Sequence, residues 1–404
     1  MIEIPTFYSI INYETPRSLA GDFFILLREQ MDDDISHVFL VPWLKRGGAD
    51  LVTLNYINAL KERESDKKII VISTENSDSP WASRLPGNIK VIEFGKLYRS
   101  LPEKNQENLL VKVLVQAKPK VIHNINSGLG YRVFTKFGKS LNNNSKLFAC
   151  SFCEEISSEG RLIGYPFKYL ADCFQNLTAI FSDNQAFLNR LHYIYGFDKK
   201  KLIVHYQPMK ISKPKRSDLT LAKVDHLNIL WAGRLDKQKR PDLLIKILQK
   251  TKNKPYKFHI YGYSLFKDDD SIKKIKKFSN AIFYGAYDGG IPALPTENYD
   301  VYLYTSEYDG IPNVLLEAIT CGLVTVASNV GGISELIKNK EIGFLVDPFD
   351  DVDKFVECLD YIYNNQSVIK GIQDNTYKLF ESDDGKHSWD HFVETVHQAN
   401  NYVP

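Results

Sequence analysis

The sequence predicts an α/β protein built from two doubly wound domains, each a parallel sheet flanked by helices. At 404 residues the chain is long for one domain and suits two of ordinary size. Short β-rich runs alternate with amphipathic helical stretches along most of its length, the pattern of parallel sheets. Twice, after the strand patterns at 228–232 and 299–304, the chain passes through a turn into a helix that opens near a proline. Such a unit puts a helix N-terminus, with unpaired N–H groups and the positive end of its dipole, at the carboxyl edge of a sheet. That is an anion site.

Composition narrows the partners. A hydrophobic content of 44% and a charged fraction of 25% describe a globular protein with ample core. The net charge of +2 gives no electrostatic case for nucleic acid. Basic clusters at 199–201 and 273–277 are candidates for peripheral contact with an anionic membrane surface, while no stretch approaches the ~20 apolar residues of a membrane span. The N-terminus lacks the basic-then-apolar order of a signal peptide, and the five cysteines are an odd, scattered set, so a cytoplasmic location is expected, extending to the inner face of the membrane. Cys150 and Cys153 have the spacing of a metal or redox pair, but no second pair or nearby histidine completes a zinc site and no metal is expected.

In chain order, residues 1–36 read as a leader packed on the first domain or as the end of a larger multidomain polypeptide: an apolar start, an amphipathic helix at 16–31 and three aspartates. The first domain is expected at 37–209. A strand at 38–43 runs into Gly47-Gly48 and a helix at 51–61, an open loop that lets a ligand approach the backbone. Strands follow at 69–73, 91–94 and 120–123 with a helix at 106–117. His123 falls at a strand's carboxyl end, where a structural hydrogen bond and a ligand contact are equally open readings. A strand from 146 runs into Glu154 and Glu155; helix 166–176, strand 179–182, helix 185–195 and strand 202–206 complete the domain.

Residues 210–226, rich in Lys, Pro and Ser, form the expected linker. The second domain, 227–384, opens with a strand, then Gly233-Arg234-Leu235, Lys239 and a helix from Pro241. An Arg and a Lys five apart on such a loop converge on a diphosphate, one as a fork and the other as a point charge. Strands at 256–262 and 282–285 each end in Gly. After the strand at 299–304, Gly310 serves a turn, Pro312 suits a helix start and Gly322 its end. Glu317 lies about one turn into that helix, and Asp309 stands eight positions before it. Carboxylates repel phosphate but accept hydrogen bonds from sugar hydroxyls. Phosphate on the N–H groups with acids beside it therefore reads as a nucleotide sugar. A last amphipathic helix occupies 385–404.

The string Asp309-Gly310-Ile311-Pro312 to Glu317-Ala318 and Gly322 resembles the acidic pair of the retaining GT-B glycosyltransferases of family 4, the glycosyl transferases group 1, of the bacterial surface-polysaccharide type; here the first acid is Asp rather than Glu. Gly233-Arg234-Leu235 and Lys239 match the same family's cationic loop, and Gly47-Gly48 its first-domain glycine loop. The resemblance implies the GT-B fold, two Rossmann-like domains facing across a cleft, with the closing helix returning to the first domain. It implies a retaining, metal-independent hexosyl transfer from a nucleotide-diphosphate sugar, with no separate cofactor, to a glycan or lipid-linked oligosaccharide acceptor in O-antigen or capsule assembly. Arg234, Lys239, Asp309 and Glu317 take the catalytic roles, with Glu317 on the ribose and Asp309 on the transferred sugar. Gly47, Gly48, Gly233, Tyr263, Ala286, Ile311, Asn313, Val314 and Leu315 line the donor. Cys153 and Glu154 stand where the family has a His-Asp pair, which leaves Glu154 as a candidate sugar or acceptor contact; His123, at its strand end, and Glu307, which points to the same side as Asp309 if the strand stays extended, are the other two. Two rivals stay open: a GT-B epimerase or phosphorylase, and an inactive GT-B copy serving as scaffold, for which Asp309, Cys153 and the unusual N-terminus speak.

Overall fold

The computed structural model describes residues 19–31, 33–87, 89–157, 159–209, 225–264, 270–382 and 385–401. The apolar start of the chain and nearly all of the expected linker lie outside these residues. The first half runs through α1 (Leu19–Glu29), β1 (His37–Val41), α2 (Gly48–Arg63), β2 (Ile69–Ser73), β3 (Lys90–Ile92), α3 (Phe94–Leu97), α4 (Glu103–Ala117), β4 (Val121–Ile125), α5 (Gly128–Asn142) and β5 (Lys146–Cys150). A small hairpin, β6 (Glu155–Ile156) with β7 (Leu162–Ile163), leads to α6 (Ala171–Cys173), β8 (Ala179–Ser182), α7 (Gln185–Tyr195) and β9 (Leu202–Val204). The seven long-range strands form a parallel sheet in the order β3-β2-β1-β4-β5-β8-β9.

The second half contributes β10 (Leu227–Arg234), α8 (Pro241–Lys250), β11 (Tyr256–Tyr263), α9 (Ser271–Ile275), β12 (Ala281–Gly285), β13 (Val301–Tyr304), α10 (Asn313–Thr320), β14 (Val324–Ser328), α11 (Ile333–Leu336) and β15 (Gly343–Val346). Its six parallel strands are ordered β12-β11-β10-β13-β14-β15. Helices α12 (Val352–Asn364), α13 (Ser367–Ser382) and α14 (Trp389–Asn401) follow. The expected pair of doubly wound α/β sheets is thus present. In each sheet the order reverses once, between β1 and β4 and between β10 and β13. A doubly wound sheet opens its ligand crevice at such a reversal, beyond the carboxyl ends of the strands.

Strands β1, β2 and β4 are buried along their whole length, because helices cover both faces of the sheet. This corrects the position of His123 and decides between its two readings. Strand β4 continues to Ile125, so His123 stands in mid-strand rather than at its carboxyl end. Its ring packs among Phe39, Tyr56, Phe148 and Phe181, and its Nε2 lies 3.1 Å from Cys150 Sγ. Burial holds its pKa well below the ordinary value. It is a neutral core residue with no route to a ligand. The strand expected at 91–94 also ends early, since Phe94 turns into α3 and is fully buried in the core with Leu27, Met31 and Ile35 from and after α1.

Helix α14 packs on the first domain although the second precedes it in sequence. Phe392, Val393, Val396 and Ala399 share a core cluster with Tyr56, Ile57 and Phe181. Its polar groups are also used. Asn400 Oδ1 meets His37 Nε2 at 3.0 Å, Lys146 Nζ donates to Asn400 O at 2.7 Å, and His397 Nε2 lies 3.1 Å from Ala59 O. His37, His123 and His205 border a cavity of about 10 Å³ beneath the helix.

This seam predicts that the protein loses stability in acid. Burial, the largest cause, lowers the pKa of His37 to about 4 despite its bond to Asn400. The unfolded chain therefore binds more protons than the folded one between that value and the free-histidine range near 6.5. The stability contributed by neutral His37 is present above ~6.5 and is lost as pH falls toward 4, at most about 3 kcal/mol. Urea unfolding across pH 4 to 8 should show this loss, and a His37→Gln chain should lose less over the same window.

Candidate active site

The site is built where two loops of the second domain are stitched together at the β10/β13 reversal. Trp231 Nε1 donates to Thr305 Oγ1 at 3.0 Å, and Thr305 Oγ1 donates to Lys239 O at 2.8 Å. Glu307 N donates to Gln238 O at 2.9 Å, and Gln238 Nε2 to Tyr308 O at 3.0 Å. The loop carrying the cations is thus fixed against the loop carrying the acids. At the centre Lys239 Nζ lies 2.6 Å from Asp309 Oδ2 and 3.0 Å from Tyr304 Oη, and the Tyr304 hydroxyl also meets Asp309. Both charged side chains are more than four-fifths buried. Gly233 borders this group, with the Lys239 stem close above it. Arg234 is more open; its guanidinium holds Asp236 at 3.1 Å and Gln238 Oε1 at 2.8 Å. Arg240, in a left-handed conformation, turns away to pair with Asp242.

Helix α10 begins four residues after Asp309, at Asn313. Pro312 at its cap supplies no side-chain acceptor, and the N–H groups of Asn313 and Val314, the first two of the helix, have no helical carbonyl to bond. Leu315 and Ile311 bury their side chains in the domain core, so only their backbone faces the cleft. One turn on, Glu317 Oε2 accepts from Ile291 N at 2.9 Å. Burial raises the Glu317 pKa, and the Ile291 N–H opposes the shift. Gly290, at φ +76°, supports this carboxylate from below: a Cβ there would stand 2.6 Å from Glu317 Oε2. Tyr287 lies among Glu317, Arg46 and Tyr263, its hydroxyl pushed up to about 12 mainly by burial. Ala286, beside it, is exposed at the end of β12.

The first domain meets this surface along its own strand ends. The Gly47-Gly48 loop opens α2, with the Asp50 carboxylate 2.7 Å from where a Gly47 Cβ would be. Gly48 O accepts from Asn313 Nδ2 at 3.5 Å, so the glycine loop and the start of α10 face one another. Beside it Arg46 pairs with Asp288 at 2.5 Å. Beyond β8, Asp183 Oδ2 accepts from Ile311 N at 3.3 Å. Cys153 is close enough to Asp309, Asp183 and Lys239 for all three to act on its thiol, which burial pushes well up. Glu335 of α11 accepts from Gln185 N and Ala186 N, the first N–H groups of α7, at 3.0 and 2.7 Å.

Arg234, Lys239, Asp309, Glu317, Gly233, Gly47, Gly48, Ile311, Asn313, Val314 and Leu315 therefore surround one cleft, with Tyr263 and Ala286 at its edge. Besides His123 in the core, two expected residues stand apart. Glu154 points away to an ion pair with Arg190 of α7. The inference for Glu307 assumed an extended strand, but β13 ends at Tyr304, and Glu307 instead acts on Arg240. The sequence reading missed Asp183, Tyr287, Gly290 and Arg46. Asp183-Asn184 was visible as a strand end, but nothing local showed that it meets residue 311.

Residues 214–379 match the family described as glycosyl transferases group 1. An uncharacterized 41.2 kDa protein in the cps region of Klebsiella pneumoniae is 28% identical over 265 residues, 62% of this chain and 72% of that protein. The O-antigen biosynthesis glycosyltransferase WbnH of Escherichia coli is 32% identical over 141 residues, 32% of this chain and 39% of WbnH, so that match spans well under half of the relative. The crystal structure of Anabaena HepE in complex with UDP-glucose superposes with a TM-score of 0.70 at 16% identity, covering 91% of this chain and 100% of that one. The fold is GT-B.

The Lys239–Asp309 pair yields a prediction about stability. Lys239→Met strands a buried carboxylate and Asp309→Asn strands a buried ammonium, so each should lower the unfolding free energy, by about 2–4 kcal/mol. The double variant should cost less than the two losses added, giving a coupling of about 1–3 kcal/mol in a chemical-denaturation cycle.

Proposed function

We propose that this chain, a group 1 glycosyltransferase of GT-B fold, moves a hexose with retention from a uridine diphosphate sugar to a glycan or lipid-linked glycan during capsule or O-antigen assembly. The observation that carries this reading is the Lys239–Asp309 pair at the open N-terminus of α10. It puts a cation and helix N–H groups beside a hydroxyl-binding acid, the combination a sugar diphosphate requires. The UDP-glucose bound by HepE supports uridine diphosphate as the carrier. The relation to WbnH supports a surface-polysaccharide acceptor.

In this mechanism Arg234, Lys239 and the N–H groups of Asn313 and Val314 bind the diphosphate and stabilise the charge that builds on it as the glycosidic bond breaks. Lys239 exchanges part of its contact with Asp309 for phosphate, which frees Asp309 for the hydroxyls of the transferred sugar. Glu317 accepts from the ribose. No described side chain is assigned as a nucleophile in this reading. The acceptor attacks from the face that the nucleotide leaves, and the departing phosphate takes its proton. The two cations and the helix dipole neutralise the leaving group, so no metal ion is needed.

No helix among the described residues is long and apolar enough to cross a membrane. Contact with the inner face of the membrane would use the surface at the end of α7, where Tyr193 is 88% exposed and Ile194 and Lys199 are also open.

Thermal-shift titration with UDP, GDP, dTDP, CMP and ADP, with and without EDTA, tests the donor site. Selective stabilisation by UDP that EDTA leaves intact is expected, and no response to any of them overturns the reading. Lys239→Ala should abolish the shift and slow transfer roughly a hundredfold or more. Gly290→Ala pushes a methyl into the Glu317 carboxylate and should weaken UDP binding about tenfold in calorimetry while the chain stays folded; unchanged affinity would remove Glu317 from the ribose.

A further inference from the structure

Asp183 is a buried acid with no ion pair among the described residues. It follows β8 in the first domain and is 7% exposed. Its donors are Asn184 Nδ2 at 2.7 Å, its own backbone N–H and, across the cleft, Ile311 N at 3.3 Å. A carboxylate has about four lone-pair sites, so three donors, one of them long and one from its own backbone, leave room for a further one. The opposite domain leaves space for it: a Cβ built on Gly310 would collide with Asp183 Oδ1 and come within 2.8 Å of Oδ2. Residue 310 thus carries no side chain where the first domain's acid presses against the turn.

The groups around it are those of the proposed sugar pocket. Asp309, one residue from that glycine, acts on Asp183 and on Cys153, and Lys239 acts on Cys153. Burial, with Asp309 adding to it, raises the Asp183 pKa to about 7. Two acids from opposite domains therefore converge on the turn 309–311. A phosphate is repelled there, while a ring bearing several hydroxyls supplies the donors both acids lack.

We propose that Asp183 is a specificity-determining contact for the transferred sugar, accepting a hydrogen bond from one of its hydroxyls opposite Asp309. This rests on the glycosyl-transfer reading above. The sugar is then gripped from both domains, the diphosphate chiefly from the second. The orientation of its hydroxyls is then read by an acid that also meets residue 311 across the cleft. A site built to pair a hydroxyl discriminates strongly against an analogue that lacks or inverts it, because the buried acid is then left unpaired.

The test uses the full chain and calorimetric binding of UDP, UDP-glucose, UDP-galactose and UDP-xylose to wild type, Asp183→Asn and Asp183→Ser. The two galactose and glucose donors differ at one hydroxyl, and xylose lacks the hydroxymethyl arm. Wild type should rank the three sugars, and both variants should compress that ranking about tenfold or more while their affinity for UDP itself stays within about twofold. Ranking preserved in both variants, or UDP affinity falling in step with the sugars, would make Asp183 a domain contact only. Equal binding of all three sugars by wild type would also overturn the inference. A wild-type chain that binds neither UDP nor its sugars overturns the glycosyl-transfer reading itself, and this is seen before any variant is made.

Discussion

Everything in the cleft depends on the bond between Lys239 and Asp309. The two residues are 70 positions apart and lie on separate loops, yet an ammonium and a carboxylate mostly removed from water hold each other at 2.6 Å. Removing both charges from solvent costs more than their attraction returns unless further hydrogen bonds help. Those bonds are present in the Tyr304 hydroxyl, the Thr305 bridge to the Lys239 carbonyl and the Gln238 amide on Tyr308. The energy of folding is thus used to keep a cation and an acid side by side at a helix N-terminus, where neither would settle alone.

The second constraint is steric and falls on glycine. The two domains approach at places where one chain has no side chain. Gly310 accommodates Asp183 and Gly332 accommodates Asn184, while within the second domain Gly331 lies against the Asp309 carbonyl. Gly331 also has φ +54°, so a side chain there would meet both a strained backbone and a filled space. Close approach of this kind makes the relative position of the domains a matter of shape as well as charge.

Much of this was legible in the sequence, and the boundary has a physical basis. Arg234, Lys239, Asp309 and Glu317 were readable because a strand, a turn and a helix N-terminus are local events with local residue signatures. Their convergence followed from one rule, that such loops gather at the carboxyl edge of a parallel sheet. His123 was misplaced because a strand's end was taken two residues short, and one pleat decides between cleft and core. Glu307 was misjudged because the backbone leaves the extended form after Tyr304. Asp183, Tyr287 and Gly290 were invisible because their roles come from the other domain or from a neighbouring loop, and no periodicity within one segment carries that information.

The route of the chain also bears on how the protein is made. Helix α14 completes the hydrophobic seam over Tyr56 and His37 in the first domain, although all of the second domain is translated before it. Glu335 likewise supplies from the second domain the acceptors for the first N–H groups of α7. The N-terminal half therefore leaves the ribosome with an uncovered apolar seam and with the first two N–H groups of α7 still without their Glu335 acceptors. It remains so until residue 401 has been synthesised, through the whole interval in which the second domain is being made. Quality control on the nascent chain would meet the first-made domain as the unfinished one.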